Sequence, residues 1–491
     1  MNHKLFFILI LMSQCFLTAA QKPDQNWPFG INEYPGVSGF GNAIIRFIPS
    51  GPKVEKVAWR MNFESTVGAW SDSSGQLLMF TNGCYIANAL GDTMPNGAGL
   101  NPGTVHDMVC PDNGYISPRG ALILALPGSR RYYYVFHLGV RYEDGEQTLG
   151  PFYYTVVDME AGSGKGAVIE KNIVIDGGNL EPFSSVRHGN GRDWWLLVPE
   201  FGTNLYKRFL FSPTGVKQYP AQQIGPTGDC VRTGSTIFSP DGSRFARHQN
   251  CRTIVFDFDR CSGELSNPVS FYLPPTTFGG GGVAFSEDGA RIFVSTHLAV
   301  LSADLQNNPL KLDTLIGSLK IAGAGLNHFQ AAPDGSFYFS LMHRSNFLPK
   351  FTFFSSNSSF TFSQKGIILP VNNVKTIPNF PNFSLLDLAD SPCDTLGITA
   401  YKEVTLPKPL IKTFPNPAQT VWQIDVSSIS TAGSHISALR VYDISGRLKH
   451  ERNFDMNELI QIDLTDWMSG LYVWKIITSD GDIHGGLVEK L

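Results

Sequence analysis

Phe238-Ser239-Pro240-Asp241-Gly242, Phe285-Ser286-Glu287-Asp288-Gly289 and Ala331-Ala332-Pro333-Asp334-Gly335 align without gaps, each followed by alternating apolar residues (SRFARHQ, ARIFVST and SFYFSLM). The three aspartates are 47 and 46 residues apart. Each copy reads as a strand, a tight turn whose glycine takes a positive φ, and a second strand. A hairpin repeated with this period marks the blades of a β-propeller, since one such sheet cannot bury its faces alone.

Weaker copies precede these three, with turns at Ser74-Gly75 before QLLMFT, at Pro127-Gly128 before SRRYYYVFH and at Gly189-Asn190-Gly191 before RDWWLLV. Third strands such as 253–259 and 152–158 follow the hairpins, then more polar outer ones. Strand 43–48 and segment 377–383 belong to no complete copy and are expected to combine into a blade that closes the ring, removing exposed sheet edges. The expected fold class is all-β: a propeller of seven blades, six being the alternative count, followed by a small Ig-like β-sandwich. The Ser-Pro-Asp-Gly turns resemble the tryptophan-aspartate-like repeats of periplasmic and secreted propellers. Asn26-Trp27-Pro28-Phe29-Gly30, the stretch 75–83, Met94-Pro95-Asn96-Gly97 and Ile377-Pro378-Asn379-Phe380 are similar to motifs of a group of exported Bacteroidota proteins, over residues 26–398.

The composition agrees. Charged residues are 16 % of the 491, against about 25 % in soluble proteins generally, while aromatics reach 12 % with 49 Gly and 31 Pro. Short strands and many turns use such a set. A formal charge of −4 without a basic stripe excludes nucleic acid as a partner. Met1-Asn2-His3-Lys4, an apolar stretch over 5–17 and Thr18-Ala19-Ala20 make a signal peptide of residues 1–20. Gln14 before Cys15 argues against lipid attachment, and no later stretch is long and apolar enough to form a transmembrane segment. Six cysteines then remain, an even number suited to disulfides in an exported chain. No Cys-x-x-Cys spacing occurs, which disfavours zinc. The Asp241 turn lies about midway between Cys230 and Cys251, so a disulfide is expected at the open end of that hairpin.

The chain ends differently. Phe414-Pro415-Asn416-Pro417-Ala418 is followed by Val441-Tyr442-Asp443-Ile444-Ser445-Gly446-Arg447, by Ser469-Gly470-Leu471-Tyr472-Val473, and by a glycine-hydrophobic end over 485–488. This order resembles the type A C-terminal sorting domain of proteins exported by the type IX secretion system of Bacteroidota. The resemblance implies a sorting domain over 411–491, with Pro415, Asn416, Pro417, Gly446, Gly470 and Tyr472 in its signal. It implies the type IX machinery as a partner and a destination, via the periplasm, in the medium or on the outer-membrane surface. A propeller over 21–398 and a linker over 399–410 complete the domain plan.

No catalytic residue is assigned by motif, and no metal or cofactor is expected. Gly162-Ser163-Gly164-Lys165-Gly166 lacks the earlier Gly and the Ser or Thr of a phosphate loop, and reads as a turn between strands. Asp257 and Asp259 share one strand face but lack the further oxygens calcium needs. No His-Glu-x-x-His or Gly-x-Ser-x-Gly occurs. Arg119, Arg187, His188, Arg232 and His328 lie near inner strands, and Arg119, Arg187, Arg232 and His328 are the expected ligand-binding set at one channel mouth. Guanidinium groups gathered there would favour an acidic glycan or an acidic peptide or protein. The expected function is a secreted or surface binding module. The alternative is an extracellular propeller enzyme acting on polysaccharide, a glycoside hydrolase or lyase.

Overall fold

Gly75, Gly128, Gly191, Gly242, Gly289 and Gly335 all adopt φ between 67° and 87°, a region that side chains with a Cβ avoid. Each sits in the turn joining the innermost strand of a sheet to its neighbour. In two of these turns Ser239 and Ser286 donate from Oγ to Oδ1 of Asp241 and Asp288 (2.6 and 2.5 Å) and accept from the backbone N of Arg244 and Arg291 (both 2.9 Å). Each aspartate also accepts the backbone N–H two residues on. The Ser286 hydroxyl is the main reason the Asp288 carboxyl lies below its usual range.

The computed structural model describes residues 22–31, 39–110, 112–143, 146–227, 230, 234–274, 281–307, 310–317, 325–394, 412–426, 436–443, 447–454, 459–479 and 483–491. The expected signal peptide, the expected linker, Arg232 and Gly446 lie outside these residues. Seven antiparallel sheets follow one another in chain order between 26 and 373. The first blade has three strands, Asn26–Ile31, Gly41–Ile48 and Gly51–Val57; each of the other six has four. Their innermost strands are Gly68–Ser71, Ala121–Ala125, Ser184–Arg187, Ser235–Phe238, Val283–Phe285 and Leu326–Ala331. Blades pack through aromatic rings: Tyr134 on Phe211 between the third and fourth (4.7 Å), Tyr206 on Phe256 between the fourth and fifth (5.0 Å), Tyr338 on Trp27 between the seventh and first (6.0 Å). Gly281 and Gly282 show how tightly the inner strands crowd, because a Cβ there would lie 1.8 Å from Ser295 O and 2.7 Å from the Phe329 ring.

The seventh-blade expectation needs correcting in one respect. Segment 377–383 takes the place of the missing innermost strand of the first blade, but joins no ladder. Pro378 and Pro381 have no N–H to give one. Its contacts are made by side chains instead. Thr376 Oγ1 donates to Phe63 O and Glu64 O (3.2 and 3.1 Å), ahead of the second blade's inner strand. Phe380 lies 6.4 Å from Trp27, and Phe383 lies 5.3 Å from Trp70 and 5.8 Å from Trp194, centroid to centroid. Asn382 Nδ2 donates to Pro240 O (2.7 Å) and Leu388 N to Gly189 O (2.7 Å), both beyond the ends of inner strands. The segment therefore enters the channel at one mouth and leaves at the other.

Three disulfides are present: Cys84–Cys110, Cys230–Cys251 and Cys261–Cys393. The last ties the end of the threaded segment to the fifth blade. The C-terminal module forms two sheets, one of Lys412–Phe414, Val421–Asp425 and Ile460–Asp463, the other of Leu448–Asn453, Ile436–Asp443, Gly470–Thr478 and Ile483–Lys490. Trp422, Ile424, Val441, Trp474 and Ile476 are buried between them in a separate core.

A buried ion pair also crosses blades. Arg247 on the fifth blade donates from Nε and Nη2 to both oxygens of Glu181, ahead of the fourth (2.8 and 2.6 Å), and both side chains are about 1 % exposed. Gln249 Nε2 adds a third bond to Glu181 (3.0 Å), and the Arg247 guanidinium lies over the Tyr206 ring (5.4 Å). Burial opposes the charge on Arg247, but Glu181 and Tyr206 outweigh it and raise its pKa. Glu181→Gln should cost about 3 to 5 kcal/mol, because it strands a buried cation. Urea unfolding measures this, and a loss below about 1 kcal/mol would contradict the pairing as a structural tie.

Candidate functional site

Between the threaded segment and the third to seventh blades the channel keeps a cavity of about 320 Å³. Its walls come from the ends of inner strands and the turns after them: Ser185 and Val186, Ile237 to Pro240, Ala284 and Phe285, Gln330 to Pro333. The threaded segment adds Asn379 to Asn382, and Asp24 reaches it from the start of the first blade. The size suits a small molecule.

Arg119 is the cation on this wall, and it is 4 % exposed. Its backbone is left-handed, with φ 50°, a conformation costing a non-glycine residue on the order of 1 kcal/mol or more. Nη1 donates to Phe329 O (3.2 Å); Nη2 donates to Gln330 Oε1 (3.3 Å) and Asn379 Oδ1 (2.7 Å). Among the described residues no carboxylate pairs with it. Burial without such a partner lowers its pKa to about 10, so it remains a cation near neutral pH. Asn379 closes the arrangement by donating to Arg119 O and Phe183 O (both 3.2 Å). Gln330 holds Phe380 by both its N and its O (3.3 and 3.1 Å).

Two further groups on the cavity were not legible in the sequence. Ser184 turns to the fifth blade and bonds Thr236 O (2.6 Å). Its neighbour Ser185 faces the other way, 5 % exposed, with its hydroxyl unpartnered. Asp24 is part-buried with no basic partner among the described residues, and burial pushes its carboxyl up to about 6.

Of the other expected ligand residues, Arg187 and His328 do not line this cavity, and Arg232 lies outside the described residues. Arg187 ends its inner strand, whereas Arg119 precedes its own, so the two stand toward opposite mouths and not at one. Arg187 donates to Gly191 O and Phe383 O (3.0 and 3.3 Å) and stacks on Trp194 (4.3 Å). His188 binds Cys261 O through Nε2 (3.1 Å). His328 is buried near Arg119 and His248; burial and then those two neighbours hold its pKa down to about 3, so it carries no charge at neutral pH. Asp257 and Asp259 serve locally: Asp257 accepts from Asn267 (2.8 Å) and Asp259 from Cys261 N (2.8 Å). The 162–166 stretch is a turn between two strands.

In the C-terminal module Asn416 Oδ1 accepts Glu489 N (3.0 Å), and Ala418 pairs with the last strand on both sides of Lys490. Pro415, Asn416 and Pro417 are exposed. Gly470 opens its strand with φ 148°, and the buried Tyr472 donates to Met468 O (2.7 Å).

No curated protein matches the chain in sequence. Among solved structures, one from Lactobacillus plantarum has 11 % identity and a TM-score of 0.45, covering 72 % of this chain and 98 % of that one. A Bacteroides uniformis protein provisionally named 6-phosphogluconolactonase has 12 % identity and a TM-score of 0.41, covering 71 % and 98 %. The Myceliophteria thermophila Cps50 (Swd1) β-propeller domain has 10 % identity and a TM-score of 0.37, covering 62 % and 89 %. These likenesses are weak, and the propeller assignment rests on the seven sheets themselves. Residues 412–488 match the family model of the secretion system C-terminal sorting domain. The C-terminal module is thus a type IX sorting domain, and the chain is β-propeller cargo destined for the cell surface or the medium.

Proposed function

We propose that the propeller is a binding module that takes its ligand in the channel cavity, on the side of the inner-strand turns. The observation that carries this reading is Arg119: a buried cation in a strained conformation, with no carboxylate partner among the described residues, on the wall of a cavity of ligand size. A guanidinium so placed favours a carboxylate-bearing ligand. Arg187 supports this indirectly, by fixing the threaded segment at Phe383.

One observation favours the rival, hydrolysis or elimination on polysaccharide. A carboxyl raised to about 6, as at Asp24, is suited to general acid catalysis, and Glu287 lines the same cavity. The two readings separate on turnover. Incubation with acidic polysaccharides is expected to release no reducing ends or unsaturated products, and turnover abolished by Asp24→Asn would replace binding with catalysis.

Asp24 also makes a stability prediction. Its folded pKa lies above the ordinary 3.8, so the folded state takes up the proton more readily and stability falls as pH rises from about 4 to 6. Asp24→Asn removes that cost and should gain roughly 1 to 2 kcal/mol at pH 7.5 and nothing at pH 4. Thermal unfolding at the two pH values checks the sign. Separately, deleting residues 412–491 should leave the propeller folded in the periplasm, since the two modules have separate cores. Normal appearance of the truncated chain in the medium would contradict export through that module.

A further inference from the structure

We propose that the cavity selects a small amphipathic monocarboxylate, an apolar or aromatic body bearing one carboxylate held by Arg119 and Ser185, and not an acidic sugar. This deepens the binding reading above and rests on it. Three features of the wall carry it.

The first is the count of charges. Arg119 is the cation lining the cavity among the described residues, while Asp24 and Glu287 line it as well. A wall with one cation and two acidic groups accommodates at most a single negative charge and repels a polyanion. The second is the polar supply. A guanidinium has five N–H donors, of which Arg119 commits three to Phe329 O, Gln330 Oε1 and Asn379 Oδ1. Those left over, with the unpartnered Ser185 hydroxyl, match one carboxylate. Asn379 bonds the backbones of both Arg119 and Phe183, each just ahead of an inner strand, so Arg119 and Ser185 belong to neighbouring blades on one wall. The third is the remainder of the lining, which is largely apolar and includes five aromatic rings, Phe238, Phe285, Phe337, Phe353 and Phe380. The many hydroxyls of a sugar would be buried there without partners, at a cost an apolar body avoids.

The same wall sets a pH dependence. The ionisable groups on the cavity are Arg119, Asp24 and Glu287, with His328 beside Arg119 and His248 beside His328. Burial keeps both histidines uncharged near neutral pH, with values of about 3 and about 4. Asp24 gains its proton as pH falls past about 6, which removes a negative charge from the wall while an ordinary carboxylate ligand stays ionised. Binding should therefore strengthen between pH 7.5 and 5.5.

The test is calorimetric titration of the purified chain with 4-phenylbutyrate, 4-phenylbutyramide and galacturonate. The acid should bind about tenfold or more tighter than its amide, and several-fold tighter at pH 5.5 than at 7.5. Ser185→Ala should weaken it several-fold with thermal unfolding unchanged; this variant is used because Arg119 also holds the threaded segment. Equal binding of acid and amide overturns the proposal. Tighter binding of galacturonate, weakened by Ser185→Ala, overturns the ligand class and leaves the cavity as the binding site. Absence of binding by all three overturns the proposal but leaves the binding reading to other ligands, whereas binding indifferent to Ser185→Ala and to the bulkier Ser185→Phe removes the cavity as the site and both readings fall.

Discussion

A ring of blades holds together only when its last gap is filled, and here the gap is filled by residues 377–383 lying in the channel rather than by a paired strand. Six blades are complete in themselves; the first has three strands and nothing local to place at the axis. The two prolines at 378 and 381 prevent ladder pairing, so the closing force passes to side chains. Asn379, Gln330, Arg187 and Thr376 each span from the segment to a different blade. The Cys261–Cys393 disulfide then fixes the far end across 132 residues of sequence, and on the chain-entropy model a loop of that length is stabilised by roughly 4 to 5 kcal/mol.

The site follows from that closure. An axial channel empty of chain would be an open pore; with the segment inside, part of it is packed by Phe380 and Phe383 and the rest keeps a cavity. Arg119 belongs to both functions. It binds the segment through Asn379 and still faces the cavity, which accounts for a left-handed arginine where a glycine would be free of strain. Secretion is a separate property, located in a module with its own core and with its Pro415 to Pro417 stretch exposed. Three disulfides suit the oxidising route such a chain takes.

What the sequence made legible was local. The Asp-Gly turns, the hairpin strands and the Cys230–Cys251 pair each depend on residues within about one blade of one another, where periodicity and turn chemistry speak directly. The sorting module was legible through its motif order. Arg119 was singled out for its type and its position ahead of a strand, but its partners Asn379, Gln330 and Phe329 lie more than 200 residues away. No local pattern encodes such a neighbourhood. The same holds for Glu181 with Arg247, Cys261 with Cys393, and the facing of Ser185. The one available signal was negative: Ile377-Pro378-Asn379-Phe380-Pro381-Asn382-Phe383 fitted no repeat, because its role is to join the others.

Hydrogen exchange of the backbone amides across 376–388 tests the central claim most directly. If the segment closes the ring and walls the cavity, the amides of Phe380 and Leu388 exchange as slowly as those of the inner strands, and all lose protection together as denaturant is added. Rapid exchange in the segment while the blades stay protected would make it a surface appendage, and the account of both closure and cavity would fail.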